Sequence, residues 1–138
     1  MSDSPHPKPM PEASAESRPY WECLAARKLL LQRCAECGRV RHYPRPLCDA
    51  CHSFSIDWME ASGEAMVHSW TVAHHPFHPG FREELPYTLV TADLPEGVRI
   101  LAQLRDAGPE VMRVGLPLRI GFEDNGQGLI LPVLRPRD

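Results

Sequence analysis

Four cysteines carry the strongest chemical signal in the chain: Cys34-x-x-Cys37 and Cys48-x-x-Cys51, with ten residues between the pairs. Two thiolates three positions apart on a tight turn converge on one ion. Two such knuckles complete a tetrahedral shell, the arrangement of a closed structural zinc site. Disulfides and free thiols are the competing uses of such residues. After each pair, Gly38 or a small polar residue lets the backbone relax into a sharp turn. A shell filled by Cys34, Cys37, Cys48 and Cys51 leaves no open position for water, so zinc here is expected to be structural, supplying apparent folding energy of roughly 10–16 kcal/mol. The same ligands can hold one iron, as in a rubredoxin-type electron carrier, and spacing alone does not separate the metals. Cys23 reads as a small buried residue. His42 and His52 flank a cluster already complete without them and are expected at the surface.

The segment from Arg27 to Arg45 holds six basic residues (Arg27, Lys28, Arg33, Arg39, Arg41, Arg45) and one acid, Glu36, a local balance of +5 that leaves the rest of the chain at -8. Part of this charge offsets a tetrathiolate. The functional use is a phosphate site, in which guanidinium forks such as those of Arg39, Arg41 and Arg45 grip a nucleotide's phosphates, those of CoA among them, or a nucleic-acid backbone. The whole-chain charge of -3 provides no field for holding a polyanion. His68, His74, His75 and His78, near Glu83 and Glu84, show no metal-ligand spacing. The chain lacks GxGxxG, P-loop, GxSxG and HExxH signatures, and no catalytic residue is assigned. Trp58, Trp70, Phe77, Phe81 and Tyr87 are expected mainly in a barrel core, the alternative being a stacking surface for bases.

The elements that must position these residues follow from composition and periodicity. A length of 138 residues, 43% hydrophobic and 24% charged, is globular in composition and of single-domain size. Residues 1–19 carry Pro5, Pro7, Pro9, Pro11 and Pro19 with no aromatic or β-branched side chain, the composition of a disordered tail. YWECLAARK, from Tyr20 to Lys28, predicts a short amphipathic helix, and the cysteine ribbon follows, so that residues 20–61 form helix plus ribbon. From residue 62 to 138, five β-type runs alternate with turn signals: Glu64–Ala73, Tyr87–Leu94, Val98–Leu104, Leu116–Phe122 and Leu129–Leu134. Pro95-Glu96-Gly97 and Asp124-Asn125-Gly126 mark tight hairpins. The expected fold is therefore mostly β, a short helix and rubredoxin-like zinc ribbon followed by a small five-stranded barrel. No run is long and apolar enough for a membrane span and no signal-peptide order is seen, so a reducing, cytoplasmic location is expected.

The helix with Trp21, then LLLQRCAECGRVRHYPRPLCDAC, the Ser62-Gly63 junction, and the strands YTLVTADLPEGVRILAQL and GLPLRIGFED together resemble the DUF35 family. These are zinc-ribbon plus OB-fold proteins associated with acyl-CoA enzymes. The resemblance covers about Tyr20 to Pro136, and the four cysteines match the family's ribbon one for one. The proline-rich tail and the stretch VAHHPFHPGF depart from it. The resemblance implies a non-catalytic subunit of a thiolase-superfamily enzyme, or of a related acyl-CoA lyase or hydratase, in a hetero-oligomer. Such a chain would stabilise its partner, help to bind the CoA thioester, or both. Two alternatives stay open: a single-stranded nucleic-acid module and a rubredoxin-type electron carrier.

Overall fold

The structure, a computed structural model, describes residues 8–137. Helix α1 (Arg18–Ala25) leads into a small sheet of β1 (Leu30–Cys34), β2 (Val40–Arg41) and β3 (Ile56–Glu60), ordered β2-β1-β3. The remaining strands, β4 (Glu64–Ala73), β5 (Tyr87–Asp93), β6 (Arg99–Leu104), β7 (Pro117–Asp124) and β8 (Ile130–Pro136), close into a barrel ordered β4-β5-β6-β8-β7. This is the five-strand OB arrangement expected from the sequence, and the strand limits agree with the expected ones to within a few residues.

Local chemistry explains each element. Tyr20 and Leu24, one turn apart on α1, are both buried against the strands that follow. The helix ends in paired bonds, the Arg27 N–H to the Leu24 carbonyl at 2.9 Å and the Lys28 N–H to the Cys23 carbonyl at 3.0 Å, with Arg27 in the left-handed region. In the barrel, period-two alternation buries Thr88, Val90 and Ala92 on β5, Ile100, Ala102 and Leu104 on β6, and Leu118 and Ile120 on β7. The long strand β4 shifts register between Val67 and Ser69, a bulge that lets one strand pair with both β5 and β7. Gly97 (φ 93°) turns the β5–β6 hairpin, and the Leu94 N–H bonds to the Val98 carbonyl at 2.9 Å.

The core is one cluster: Tyr20, Leu24, Leu29 and Leu31 from the helix and ribbon join Val67, Val90, Leu104, Leu118 and Leu134 of the barrel. It is mostly aliphatic, which corrects the expectation for the aromatic residues. Trp70 is 38% and Phe77 84% exposed, while Trp58 packs only partly against the cluster. Trp58 lies on ribbon strand β3 and Phe77 in the connection between β4 and β5, so neither faces the bore, and a barrel this narrow is filled by medium-sized branched side chains, which leaves the Trp70 ring outside. The segment expected to be a tail divides. Residues 1–7 lie outside the described residues, Arg18 and Pro19 belong to α1, and Lys8 pairs with Glu84 while its ammonium sits 5.3 Å from the Phe81 ring. Ser14 and Ser17 bond to each other at 2.9 Å just before the helix. No helix among the described residues is long and apolar enough to cross a membrane.

Candidate metal centre and the cavities beside it

The two cysteine knuckles are near copies. After Cys34 and Cys37, the Gly38 N–H returns to the Cys34 carbonyl at 2.9 Å; after Cys48 and Cys51, the His52 N–H returns to the Cys48 carbonyl at 2.9 Å. Gly38 (φ 80°) and His52 (φ 64°) both occupy the left-handed region that such a turn needs. The four sulfurs lie within 4.8 Å of one another, with Cys34 Sγ to Cys51 Sγ at 3.5 Å and Cys37 Sγ to Cys48 Sγ at 3.6 Å. Zinc–sulfur bonds of about 2.3 Å in a tetrahedron place sulfurs roughly 3.8 Å apart, so the residues fit the ion.

Backbone N–H groups aimed at sulfur favour thiolates. The Cys37 N–H, 3.5 Å from Cys34 Sγ, is the main cause holding the Cys34 thiol down to about 6. At Cys51 the Ser53 N–H acts in the same direction, yet the neighbouring cysteine sulfurs push that thiol up to about 12. Four converging sulfurs thus gather more negative charge than they hold without a cation. Cys34 and Cys48 are buried beneath the strands, whereas Cys37 and Cys51 are exposed on the outer side. Cys23 is a half-buried free thiol away from this group.

Beside the knuckles, a polar knot fixes the ribbon strands. Gln32, fully buried on β1, accepts through Oε1 from the Arg41 Nε–H and from the Arg45 backbone N–H at 2.8 Å. Arg41 Nη2 donates to the Arg45 carbonyl at 3.2 Å, and its Nη1 is buried without a partner. His42, expected at the surface, is instead half-buried beside Tyr20, with ring centroids 5.4 Å apart and Nδ1 unpartnered. Burial pushes its imidazole down to about 4. The adjacent hydrophobic helix is what captures it, and spacing within the cysteine motif carries no sign of that.

Two cavities meet at His42. One, of about 540 Å³, lies between the ribbon and the β5–β6 hairpin and is lined by Arg39, Arg41, Arg45 and Arg99 with Asp49 and Asp93. Arg39 pairs with Asp49 at 3.0 Å and Arg99 with Asp93 at 2.7 Å, both in exposed geometry. The three arginines singled out by sequence therefore come together but differ in state. Arg39 and Arg45 are exposed, while Arg41 is 6% exposed and tied into the knot. Arg99, distant in sequence, completes the set; only the barrel's closure brings it there. The second cavity, of about 560 Å³, lies across the outer face of β6 and β8 and is walled by Trp21, Tyr43, Phe81, Leu101 and Leu131. Trp21 Nε1–H donates to the Tyr43 hydroxyl at 2.7 Å, fixing one wall. Both cavities are lined by His42 and Arg99.

The remaining candidates do not assemble. His68 Nδ1 lies 3.5 Å from Asp93, His78 Nδ1 accepts from the Gly80 N–H at 2.9 Å, and His74 and His75 are exposed. Among the described residues, the four cysteines are the one group of three or more such side chains close enough to share an ion.

Comparison with known proteins agrees with this architecture. Residues 21–57 match the ChsH2 rubredoxin-like zinc ribbon domain and residues 58–123 the ChsH2 C-terminal OB-fold domain. A "probable enoyl-CoA hydratase alpha subunit" of Thermomonospora curvata is 38% identical over 129 residues, covering 94% of this chain; the chain spans only 40% of that relative's length. A "DUF35 domain-containing scaffold protein" of Pyrococcus furiosus is 33% identical, with 73% of this chain and 74% of the relative covered. Among solved structures, a chain of the "Ltp2-ChsH2(DUF35) aldolase" superposes with a TM-score of 0.84 at 37% identity, over 92% of this chain and 98% of that one. With its cysteine knuckles, closed barrel and the order in which they follow one another all matched, the chain belongs to the DUF35 family of zinc-ribbon and OB-fold proteins.

Proposed function

We propose that this chain is a non-catalytic subunit of a cytoplasmic acyl-CoA enzyme complex, in which a thiolase-superfamily partner makes or breaks a carbon–carbon bond on the thioester. The observation that carries this reading is the likeness, over 92% of the chain, to the DUF35 chain of an aldolase named as a two-component assembly. The scaffold and hydratase-subunit names of other relatives support it. In this reading Cys34, Cys37, Cys48 and Cys51 ligate one zinc. The ion supplies folding energy, with no position open for water or substrate. The exposed Phe54, Phe77 and Val114, at 74%, 84% and 71% exposure, are apolar surface of the kind a partner covers.

The arginine-lined cavity is the proposed seat of the CoA phosphates, with Arg39, Arg45 and Arg99 as the exposed donors and Arg41 behind them. Surface pairs such as Arg39–Asp49 are worth at most about 1 kcal/mol, so these guanidiniums exchange a carboxylate for a phosphate at little cost. Co-expression with a thiolase-superfamily enzyme that requires a DUF35 partner, followed by size-exclusion chromatography and metal analysis, tests the assignment. A hetero-oligomer with about one zinc per chain is expected; a lone chain, an iron-bearing chain or one carrying nucleic acid overturns it. In titration calorimetry, Arg39→Ala and Arg45→Ala should each weaken CoA binding at least roughly ten-fold, the value of one charge-assisted bond of about 1.5 kcal/mol. Unchanged affinity removes the phosphate role.

A further inference from the structure

The outer face of β6 is graded in a way that core packing does not require. Its outward side chains, two residues apart, run Arg99, Leu101, Gln103, and the strand then leads to Arg105. Leu101 is 63% exposed, an unusual position for a leucine whose neighbours Ile100 and Ala102 are buried. Register places Thr91 beside Leu101, and both Leu89 and Val133 beside Gln103, so three strands lay an apolar floor that begins at a cation. At about 3.3 Å per residue, Arg99 to Gln103 spans roughly 13 Å. Walls rise on both sides: Trp21 and Tyr43 from the helix and ribbon, Phe81 from the connection between β4 and β5. The volume of about 560 Å³ lies within the usual range for small-molecule sites, roughly 300–1,000 Å³. At the Arg99 end the groove joins the arginine-lined cavity through His42 and Arg99, which line both.

We propose that the two cavities form one bipartite site, in which the arginine-lined chamber holds a phosphorylated carrier and the groove over Leu101 receives the apolar acyl group attached to it. This rests on the reading of the chain as an acyl-CoA enzyme subunit and adds to it a selective role: the subunit discriminates among thioesters by acyl size. Charge complementarity chooses this occupant over a protein segment. Net positive charge gathers at one end, where Arg39, Arg41, Arg45 and Arg99 face Asp49 and Asp93, while Lys8 and Arg105 at the other end are paired with Glu84 and Glu123; a ligand with one anionic and one apolar part demands that asymmetry. A buried methylene is worth about four-fold in affinity, so acyl length is the variable the groove reads.

The test is titration calorimetry of the zinc-loaded full chain with CoA, acetyl-CoA, octanoyl-CoA and octanoate. Even at half burial, the six further methylenes of octanoyl-CoA should tighten binding about 60-fold over acetyl-CoA. Leu101→Asn, a neutral change at an exposed position where the fold tolerates it, should reduce that ratio below about five. Arg45→Ala should weaken CoA and octanoyl-CoA alike. Equal affinity for acetyl- and octanoyl-CoA overturns the groove's role while leaving the subunit reading intact, since that reading is decided by co-purification. Octanoate binding as tightly as octanoyl-CoA overturns the bipartite site in favour of a simple apolar pocket. Absence of any CoA binding overturns both the inference and the phosphate seat.

Discussion

Gly38 and His52 perform the same turn with different side chains, and the difference is testable. At Gly38 an added Cβ meets no atom within 4 Å, so the cost of Gly38→Ala is conformational alone: about 1 kcal/mol, read as a lower urea midpoint of the zinc-loaded chain. His52→Gly should be neutral or slightly stabilising in the same assay, because glycine occupies φ 64° without strain. His42 supplies a pH dependence. Its folded value, about 4, lies below the ordinary 6.5, so the unfolded chain binds the proton first and stability is lost as pH falls through this window. Between about pH 7.5 and 5 this amounts to about 2 kcal/mol. The loss should appear in urea midpoints of the wild type and be largely absent in His42→Gln, a comparison that cancels the acid sensitivity of the thiolates. The four cysteines were legible from spacing alone, since a chelate needs only local geometry. The burial of His42 and the knot of Gln32 and Arg41 were not. They depend on β1, β2 and α1 being brought together, and no local pattern encodes that.

At the level of elements, the ribbon is a short sheet whose outer strand β2 has only two residues, so its persistence depends on the knuckles. Yet Leu29 and Leu31 of the ribbon lie in the same core cluster as Leu118 and Leu134 of the barrel. Metal removal should therefore not leave an intact barrel with a loose arm. Cys48→Ser, or chelation, is expected to lower the thermal midpoint of the whole chain in one transition by near-ultraviolet circular dichroism; an unshifted barrel transition would show the two parts to be independent. The strands themselves were readable, because period-two burial and the Gly97 and Gly126 turns are written locally. The outward placement of Trp70 was not, as ring position depends on the bore of the closed barrel, and Phe77 stands in the connection before β5, where no strand pattern reaches it. Nor was the pairing of Lys8 with Glu84 and its approach to Phe81, since proline-rich composition describes what a segment lacks and not the surface it meets.

For the whole molecule, the distribution of charge matters more than its sum. The chain's net charge is -3, yet the residues from Arg27 to Arg45 carry +5. The fold brings Arg99 beside three of those arginines. A partner or ligand approaching this face meets a cluster of cations, whose attraction for phosphate is screened by salt. CoA affinity, followed by titration calorimetry across a salt series, should therefore fall steadily as ionic strength rises, whereas octanoate affinity should change less.

The barrel's hoop is unevenly riveted. β7 and β8 are joined by seven residue pairs and β5 and β6 by five, but the parallel seam of β6 with β8 has two, Gln103 with Val133 and Leu104 with Leu134. The Arg105 N–H to Leu134 carbonyl bond at 2.8 Å is the clasp just beyond them. When the cylinder breathes, this is the stave that gapes first, and the groove over Leu101 straddles it. Anything seated there acts as a splint. Amide exchange at Arg105 and Leu134 should be among the fastest in the barrel without ligand and among the most slowed with it.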